Sequence, residues 1–284
     1  MKNYEFKITD ETQWCPGCGN PGIRLALKNA LEELNLGMDD VIMSAGIGQA
    51  GKMPQYIDLN AFAGLHGRSL PVATAIKLSN HNAVVIAEGG DGDAYGEGGN
   101  HMIHAIRRNT NITQIVHNNQ VYGLTKGQAS PTTGQGQVQT FAQDGSRNKM
   151  MKPLAFAMTL GAGFVARGFS GDVKQLTEII KEAIQFKGYA LVDVLQPCIT
   201  WNKVNTFQWY KERVKPLDDS YDPTNFDDAL QKALMWGDEI PTGVIYKVES
   251  QTYEDQFGFI TNKEPMIDRK LDPMAAKKIM DRMR

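Results

Sequence analysis

The sequence predicts an α/β fold, a mostly parallel sheet with helices on both faces. Two observations carry this. Apolar runs of strand length alternate with amphipathic helical stretches, and each glycine-rich or polar loop of chemical interest follows one of those runs. A β-loop-α order of this kind builds parallel sheets covered on both sides. Ligands of such sheets sit beyond the carboxyl ends of the strands.

The elements justify this in order. Residues 21–36 place Ile23, Leu27, Leu31 and Leu34 on one helical face. DVIMSAGIG then reads as a buried strand entering a glycine loop. AVVIAE, residues 83–88, is a second apolar strand, running into GGDGDAYGEGG. A helix over roughly 97–108 follows, then the strand TQIVH, ending at HNNQVYG. Residues 172–186 put Leu176, Ile179, Ile180, Ala183 and Ile184 on one face, and the strand YALVDVL ends at QPC. The loops GIGQAG, GGDGDAYGEGG, NNQVYGLTKG and QPCITWN therefore converge on one rim. Periodicity weakens from about 204, with short helices near 226–236 and 273–284. We read residues 1–205 as the main domain and 206–284 as a C-terminal extension packed on it or on a partner.

Bulk composition sets limits. With 284 residues and 42% hydrophobic content the chain can bury a large core. A formal net charge of −2 without a basic stripe argues against nucleic acid. No run of 18 apolar residues suggests a membrane span, and the N-terminus lacks the apolar stretch of a signal peptide, so the cytoplasm is expected. The three cysteines, Cys15, Cys18 and Cys198, do not make a disulfide framework. C-x-x-C in a reducing compartment reads as a metal, cluster or redox-thiol site.

The strongest chemical signal is Gly90-Asp91-Gly92-Asp93, with Asn119 28 residues after Asp91. A diphosphate needs a divalent cation to bridge its oxygens, and Mg2+ takes oxygen ligands in octahedral geometry. Asp91 offers a carboxylate oxygen, Asn119 an amide oxygen and Val121 a backbone carbonyl. The glycines allow close approach to phosphates, and the helix beginning near Glu97 presents free N–H groups. A plain glycine turn is the bland alternative, made remote by the strand, helix and second strand that precede the asparagines.

The run GDGDAYGEGGNHMIHAIRRNTNITQIVHNNQVYGLTKGQASPTT resembles the thiamine diphosphate segment of 2-oxoacid:ferredoxin oxidoreductase beta subunits. The resemblance extends to WCPGCGNPG, GIGQAGKMPQY, LHGRSLPVATAIKL and LQPCITWN, together about residues 14–205. It implies a thiamine-diphosphate-binding catalytic domain with Mg2+ on Asp91, Asn119 and the carbonyl of Val121. It implies that Gly92, Asp93, Gly123 and Leu124 line the diphosphate. The loop Ile47, Gly48, Gln49, Ala50 and His66 of LHGR would lie near the thiazolium or aminopyrimidine. Asn118 stands where the family usually has aspartate.

The same resemblance implies an iron–sulfur cluster, [4Fe–4S] in the family, on Cys15, Cys18 and Cys198. Its fourth cysteine position is occupied here by Gln49, a poor cluster ligand because its amide is neutral and hard. A [4Fe–4S] cluster with a non-cysteine fourth ligand, a three-iron cluster and cluster-free thiols remain open, with a zinc site as the bland reading of CPGC.

Lys126 and Lys52 are candidates for a second substrate carboxylate, unless both are ordinary solvated lysines. In the resembled family, pyruvate-restricted members commonly have glycine at the Lys126 position, so 2-oxoglutarate or a broad range is expected, with pyruvate possible. The implied reaction is oxidative decarboxylation of a 2-oxoacid to acyl-CoA and CO2, with electrons leaving through the cluster to ferredoxin, or the reverse. The glutamate that activates the cofactor comes from an alpha subunit in the resembled heterodimers, and none here matches it. A subunit of a non-redox thiamine diphosphate decarboxylase or synthase, and a non-catalytic scaffold sharing the fold, are the competing functions.

Overall fold

A computed structural model describes residues 7–9, 11–270 and 273–283. The helix α1 (Asn20–Glu33) buries Ile23, Leu27 and Leu31 completely, the face its periodicity predicts. It leads into β1 (Val41–Ala45) and β2 (Asn60–Ala63), then α2 (Ser69–Ser79). The strand β3 (Val84–Gly90) ends at Asp91. A π-helical turn, Gly92–Glu97, and α3 (Gly99–Arg108) follow. After β4 (Ile112–Asn118) a small hairpin forms from β5 (Val121–Tyr122) and β6 (Gln128–Ala129).

The chain continues through α4 (Pro153–Thr159), β7 (Phe164–Phe169), α5 (Val173–Gln185) and β8 (Tyr189–Leu195). Then come α6 (Phe207–Arg213), β9 (Val214–Pro216), α7 (Phe226–Leu234), β10 (Ile240–Lys247), α8 (Gly258–Thr261) and α9 (Pro273–Arg282). The predicted helices near 226–236 and 273–284 correspond to α7 and α9; Arg284 lies outside the described residues.

Eight strands form one sheet in the order β2-β1-β3-β4-β8-β7-β10-β9. All pairings from β2 to β7 are parallel, and β10 alone runs antiparallel to its neighbour β7. One core, built with α1 and α5, covers one face, where Leu27, Leu31, Leu176 and Ile180 pack on Val192 and Val194. A second, built with α2, α3, α4 and α7, covers the other, where Leu70, Met102, Leu154 and Ala229 gather. The sheet is thus mostly parallel with helices on both faces. Beyond residue 206, β10 and β9 continue the same sheet past β7.

The strand order reverses between β1 and β3: β2 lies on one side of β1, while β3, β4 and β8 follow on the other. Loops leaving adjacent strands at such a point part to opposite faces and open a crevice. The loops after β1, β3, β4 and β8 carry the four motifs.

Candidate active site

An open cleft of about 500 Å3 lies at that reversal. Its wall holds Ile47, Gly48, Gln49 and Ala50 from the loop after β1. Gly90 to Asp93 come from the end of β3, Asn119 and Val121 to Thr125 from the loop after β4, and His66 completes it. The predicted cofactor residues are therefore brought together. Lys52 and Lys126 do not line the cleft. Lys52 Nζ donates to Gln13 Oε1 at 2.8 Å, and Lys126 is exposed on the rim loop.

Asp91 is buried, and both hydroxyls that reach it, Ser130 Oγ at 2.5 Å and Thr132 Oγ1 at 2.6 Å, donate to the same oxygen, Oδ2. Burial pushes the carboxyl up to about 6, against the stabilising pull of those hydroxyls. Among the described residues no lysine, arginine or histidine pairs with it. A buried carboxylate with no cationic partner and one oxygen left over fits a divalent cation. Asn119 Oδ1 accepts the Val121 N–H at 3.0 Å, which holds the proposed amide ligand beside the proposed carbonyl ligand.

Asp93 is a structural hub. Its Oδ1 accepts the backbone N–H groups of Ile47 at 2.9 Å and Gly67 at 2.8 Å. His66 Nδ1 lies 2.8 Å from the same oxygen, without the alignment of a hydrogen bond. A β-carbon at Gly46 would stand 1.9 Å from Asp93 Oδ2, and one at Gly67, where φ is +70°, 2.4 Å from the Glu97 carbonyl carbon. Glycine is therefore required at both places for the loops to close on this carboxylate.

A second cavity adjoins the cleft. Trp14, Cys15, Cys18, Asn20, Cys198 and Trp201 contribute to its wall, with Gln49, Asn119 and Gly123 shared between the two. All three cysteines and the glutamine at the fourth position meet there. Backbone contacts explain why: Cys18 N donates to Cys15 O at 3.0 Å, closing the CPGC turn, and Gly19 N donates to Pro197 O at 3.1 Å, drawing that turn to Cys198. Burial, with smaller contributions from Cys15 and Cys198, pushes the Cys18 thiol up to about 11. Gln49 Oε1 is buried without a hydrogen-bond partner.

Among the described residues no three cysteine, histidine or acidic side chains are close enough together to hold one metal ion. Tetrahedral zinc would require sulfurs about 3.8 Å apart, from a Zn–S bond of about 2.3 Å. Thiols spread around a cavity wall fit a multi-atom cluster better than a single ion.

Two features were not read from the sequence. Asn118 is buried, with Nδ2 donating to both oxygens of Asp193 at 3.1 Å, while Tyr95 OH donates to Asp193 Oδ1 at 2.7 Å. The segment Ser130–Thr133 reaches both the Asp91 loop and the loop after β4. Its signal was three hydroxyl residues in four positions, which no apolar periodicity requires.

Fold and cleft together define a thiamine diphosphate enzyme domain. Residues 42–194 match the family model for the C-terminal TPP-binding domain of thiamine pyrophosphate enzymes. Residues 198–262 match that for the C-terminal region of the pyruvate ferredoxin oxidoreductase beta subunit. A 2-oxoacid:ferredoxin oxidoreductase beta subunit from Saccharolobus solfataricus is 47% identical over 257 residues, 86% of this chain and 84% of that one. The 2-oxoglutarate synthase subunit KorB of Methanocaldococcus jannaschii is 40% identical over 188 residues, 66% of this chain and 70% of that one. Among solved structures, 2-oxoglutarate:ferredoxin oxidoreductase from Magnetococcus marinus, with 2-oxoglutarate, coenzyme A and succinyl-CoA bound, superposes with a TM-score of 0.90 at 33% identity. That match covers 100% of this chain and 96% of the other. The chain belongs to the beta subunits of the 2-oxoacid:ferredoxin oxidoreductases. No helix among the described residues is long and apolar enough to cross a membrane.

Proposed function

We propose that this chain holds thiamine diphosphate through Mg2+ on Asp91, Asn119 and the Val121 carbonyl, and an iron–sulfur cluster on Cys15, Cys18 and Cys198. Paired with an alpha subunit, it converts a 2-oxoacid and coenzyme A to acyl-CoA, CO2 and a proton. Two electrons pass one at a time to ferredoxin, and the sequence is reversible. The observation that carries this reading is the shared wall: Gln49, Asn119 and Gly123 face both the cofactor cleft and the cysteine cavity. A non-redox decarboxylase subunit has no need of thiols gathered beside its cofactor.

When bound, thiamine diphosphate supplies a nucleophilic carbon that makes the 2-oxo carbon able to lose CO2. The chain's own part is placement. Asp91 supplies the anionic ligand for the cation, and the π-helical turn presents backbone to the diphosphate. Asp93 fixes the Ile47 loop and the loop of His66 and Gly67 to the cleft wall. Among the described residues the acids lining the cleft are Asp91 and Asp93. Glu88 is buried 2.7 Å from His117, and Glu97 accepts from Tyr122 OH. This supports an activating glutamate supplied by the alpha subunit. The exposed Ile47, Leu65 and Leu124 around the opening suit a covering partner.

For the substrate we favour 2-oxoglutarate. Lys126 has φ +76°, in the left-handed region that disfavours non-glycine residues by roughly 1–2 kcal/mol. A lysine kept where glycine would sit without strain supports a use for its ammonium, and a distal carboxylate is the matching group. Several relatives are themselves named 2-oxoglutarate enzymes.

The test is the electron paramagnetic resonance spectrum of the anaerobically purified alpha–beta complex before and after 2-oxoglutarate and coenzyme A. An iron–sulfur signal that grows on substrate addition is expected. A complex that binds thiamine diphosphate but contains no iron would overturn the ferredoxin-linked mechanism.

A further inference from the structure

The two halves of the metal site come from different loops: Asp91 ends β3, and Asn119 and Val121 follow β4. One segment touches both. Ser130 Oγ and Thr132 Oγ1 donate to Asp91 Oδ2. Thr132 Oγ1 is also 2.9 Å from Asn118 Oδ1. A hydroxyl has one proton, and of these two acceptors the carboxylate is closer and charged. The Thr132 carbonyl accepts Gln120 Nε2 at 2.8 Å, and Thr133 Oγ1 donates to the Gln120 carbonyl at 2.6 Å. Thr133 Oγ1 in turn accepts the Ser130 N–H at 2.8 Å, which locks the segment on itself.

Gln120 is the residue these contacts constrain most. Its φ is +60°, and its side chain is 1% exposed. A non-glycine residue persists in that conformation only where its surroundings over-determine it. Here the carbonyl and the side-chain amide are both tied to the segment. With Gln120 turned inward, its neighbours Asn119 and Val121 both line the cleft.

We infer that Ser130, Thr132 and Thr133 form a positioning strap that presents Asp91 and the Asn119–Val121 turn to a divalent cation as one unit. This rests on the metal-site reading above. The two donors on Oδ2 select the oxygen that remains for the cation, and the grip on Gln120 sets the distance to the second loop. Thr132 is the central member because its hydroxyl serves one loop and its carbonyl the other. None of the three lines the cleft; they act through the ligands.

The test uses the intact alpha–beta complex, with Mn2+ as the probe, titrated by electron paramagnetic resonance in the presence of thiamine diphosphate. Thr132→Val keeps the shape and removes the donor. Loss of an outer partner of a metal ligand weakens metal affinity by roughly 10- to 100-fold, and that fall is expected. Thr132→Ser should bind within a few-fold of wild type, and a large excess of Mg2+ should return Thr132→Val to full cofactor occupancy, which it would not do for a collapsed site. Ser130→Ala, measured in parallel, removes the other donor from the same oxygen; it should also weaken Mn2+ and decides the matter if Thr132→Val does not assemble. Wild-type affinity in both variants would overturn the strap and leave the metal site standing. Absence of Mn2+ binding in the wild type would overturn the metal site and the strap with it.

Discussion

Trp14 Nε1 donates to the backbone carbonyl of Gln49 at 2.8 Å. This bond ties the residue before Cys15 to one of the three residues that face both cavities. It fixes the Gln49 backbone against the cysteine loop, in the cavity wall that Gln49 shares with the three cysteines. Replacing Gln49 with cysteine should then complete a four-thiolate set. The expected outcome is slower loss of iron and sulfide in air and an altered spectrum, because ligand charge tunes a cluster. Unchanged iron content and spectrum in Gln49→Cys would place this residue outside the cluster.

Asp91 should impose an acid limit on cofactor binding. Burial raises its carboxyl to about 6, so the folded chain takes up a proton there more readily than the unfolded chain does. By itself this favours the metal-free fold as pH falls toward 6 and below. The cation needs the ionised form, so proton and metal compete. Below about pH 6, each unit should cost about tenfold in apparent Mg2+ affinity, read from thiamine diphosphate titrations at several pH values. Asp91→Ala should abolish Mg2+-dependent binding at every pH, and wild-type turnover in that variant would remove Asp91 from the site.

Lys126 separates selectivity from stability. In Lys126→Ala, kcat/KM for 2-oxoglutarate should drop by roughly tenfold or more, as for a lost charged hydrogen bond, while pyruvate changes little. Lys126→Gly should lose the same selectivity yet unfold later, since glycine adopts φ +76° freely; the gain is about 1 kcal/mol. An equal loss on both substrates would assign Lys126 to the carboxylate they share.

Asn118→Asp should destabilise the chain. Asn118 is buried with its amide against both oxygens of Asp193, so aspartate there sets two carboxyls in contact. One must hold a proton, and unfolding releases it at neutral pH. The loss of Tm should be largest at neutral pH and shrink in acid. A variant as stable as wild type at pH 7 would mean that the local network rearranges.

Much of the fold is legible in the sequence because it is written in apolar periodicity. The strands β1, β3, β4 and β8 are central and largely buried, each with a short apolar run such as residues 84–87 or 191–192, and α1 and α5 show a clean apolar face. The edges escape this reading. The four residues of β2 are all exposed, and β10 carries proline and glycine, residues that weaken a strand signal. In the site, motif glycines and acids mark the cleft. The strap does not announce itself, because its contacts join Asp91 to residues 39 and 41 positions away through hydroxyls that would serve equally well on a surface. The role of Asn118 is hidden for the same reason: its partner Asp193 belongs to a strand 75 residues further on.

Asp93 fixes how the cleft can be entered. One of its oxygens carries the backbone of two loops, and the glycines beside them leave the room that this close approach needs. The Ile47 and Gly67 sides of the rim are thus riveted to one carboxylate, and neither can part without breaking its bond to it. The opening between them is bordered by the exposed side chains of Ile47 and Leu124, an apolar lip that a covering subunit would bury.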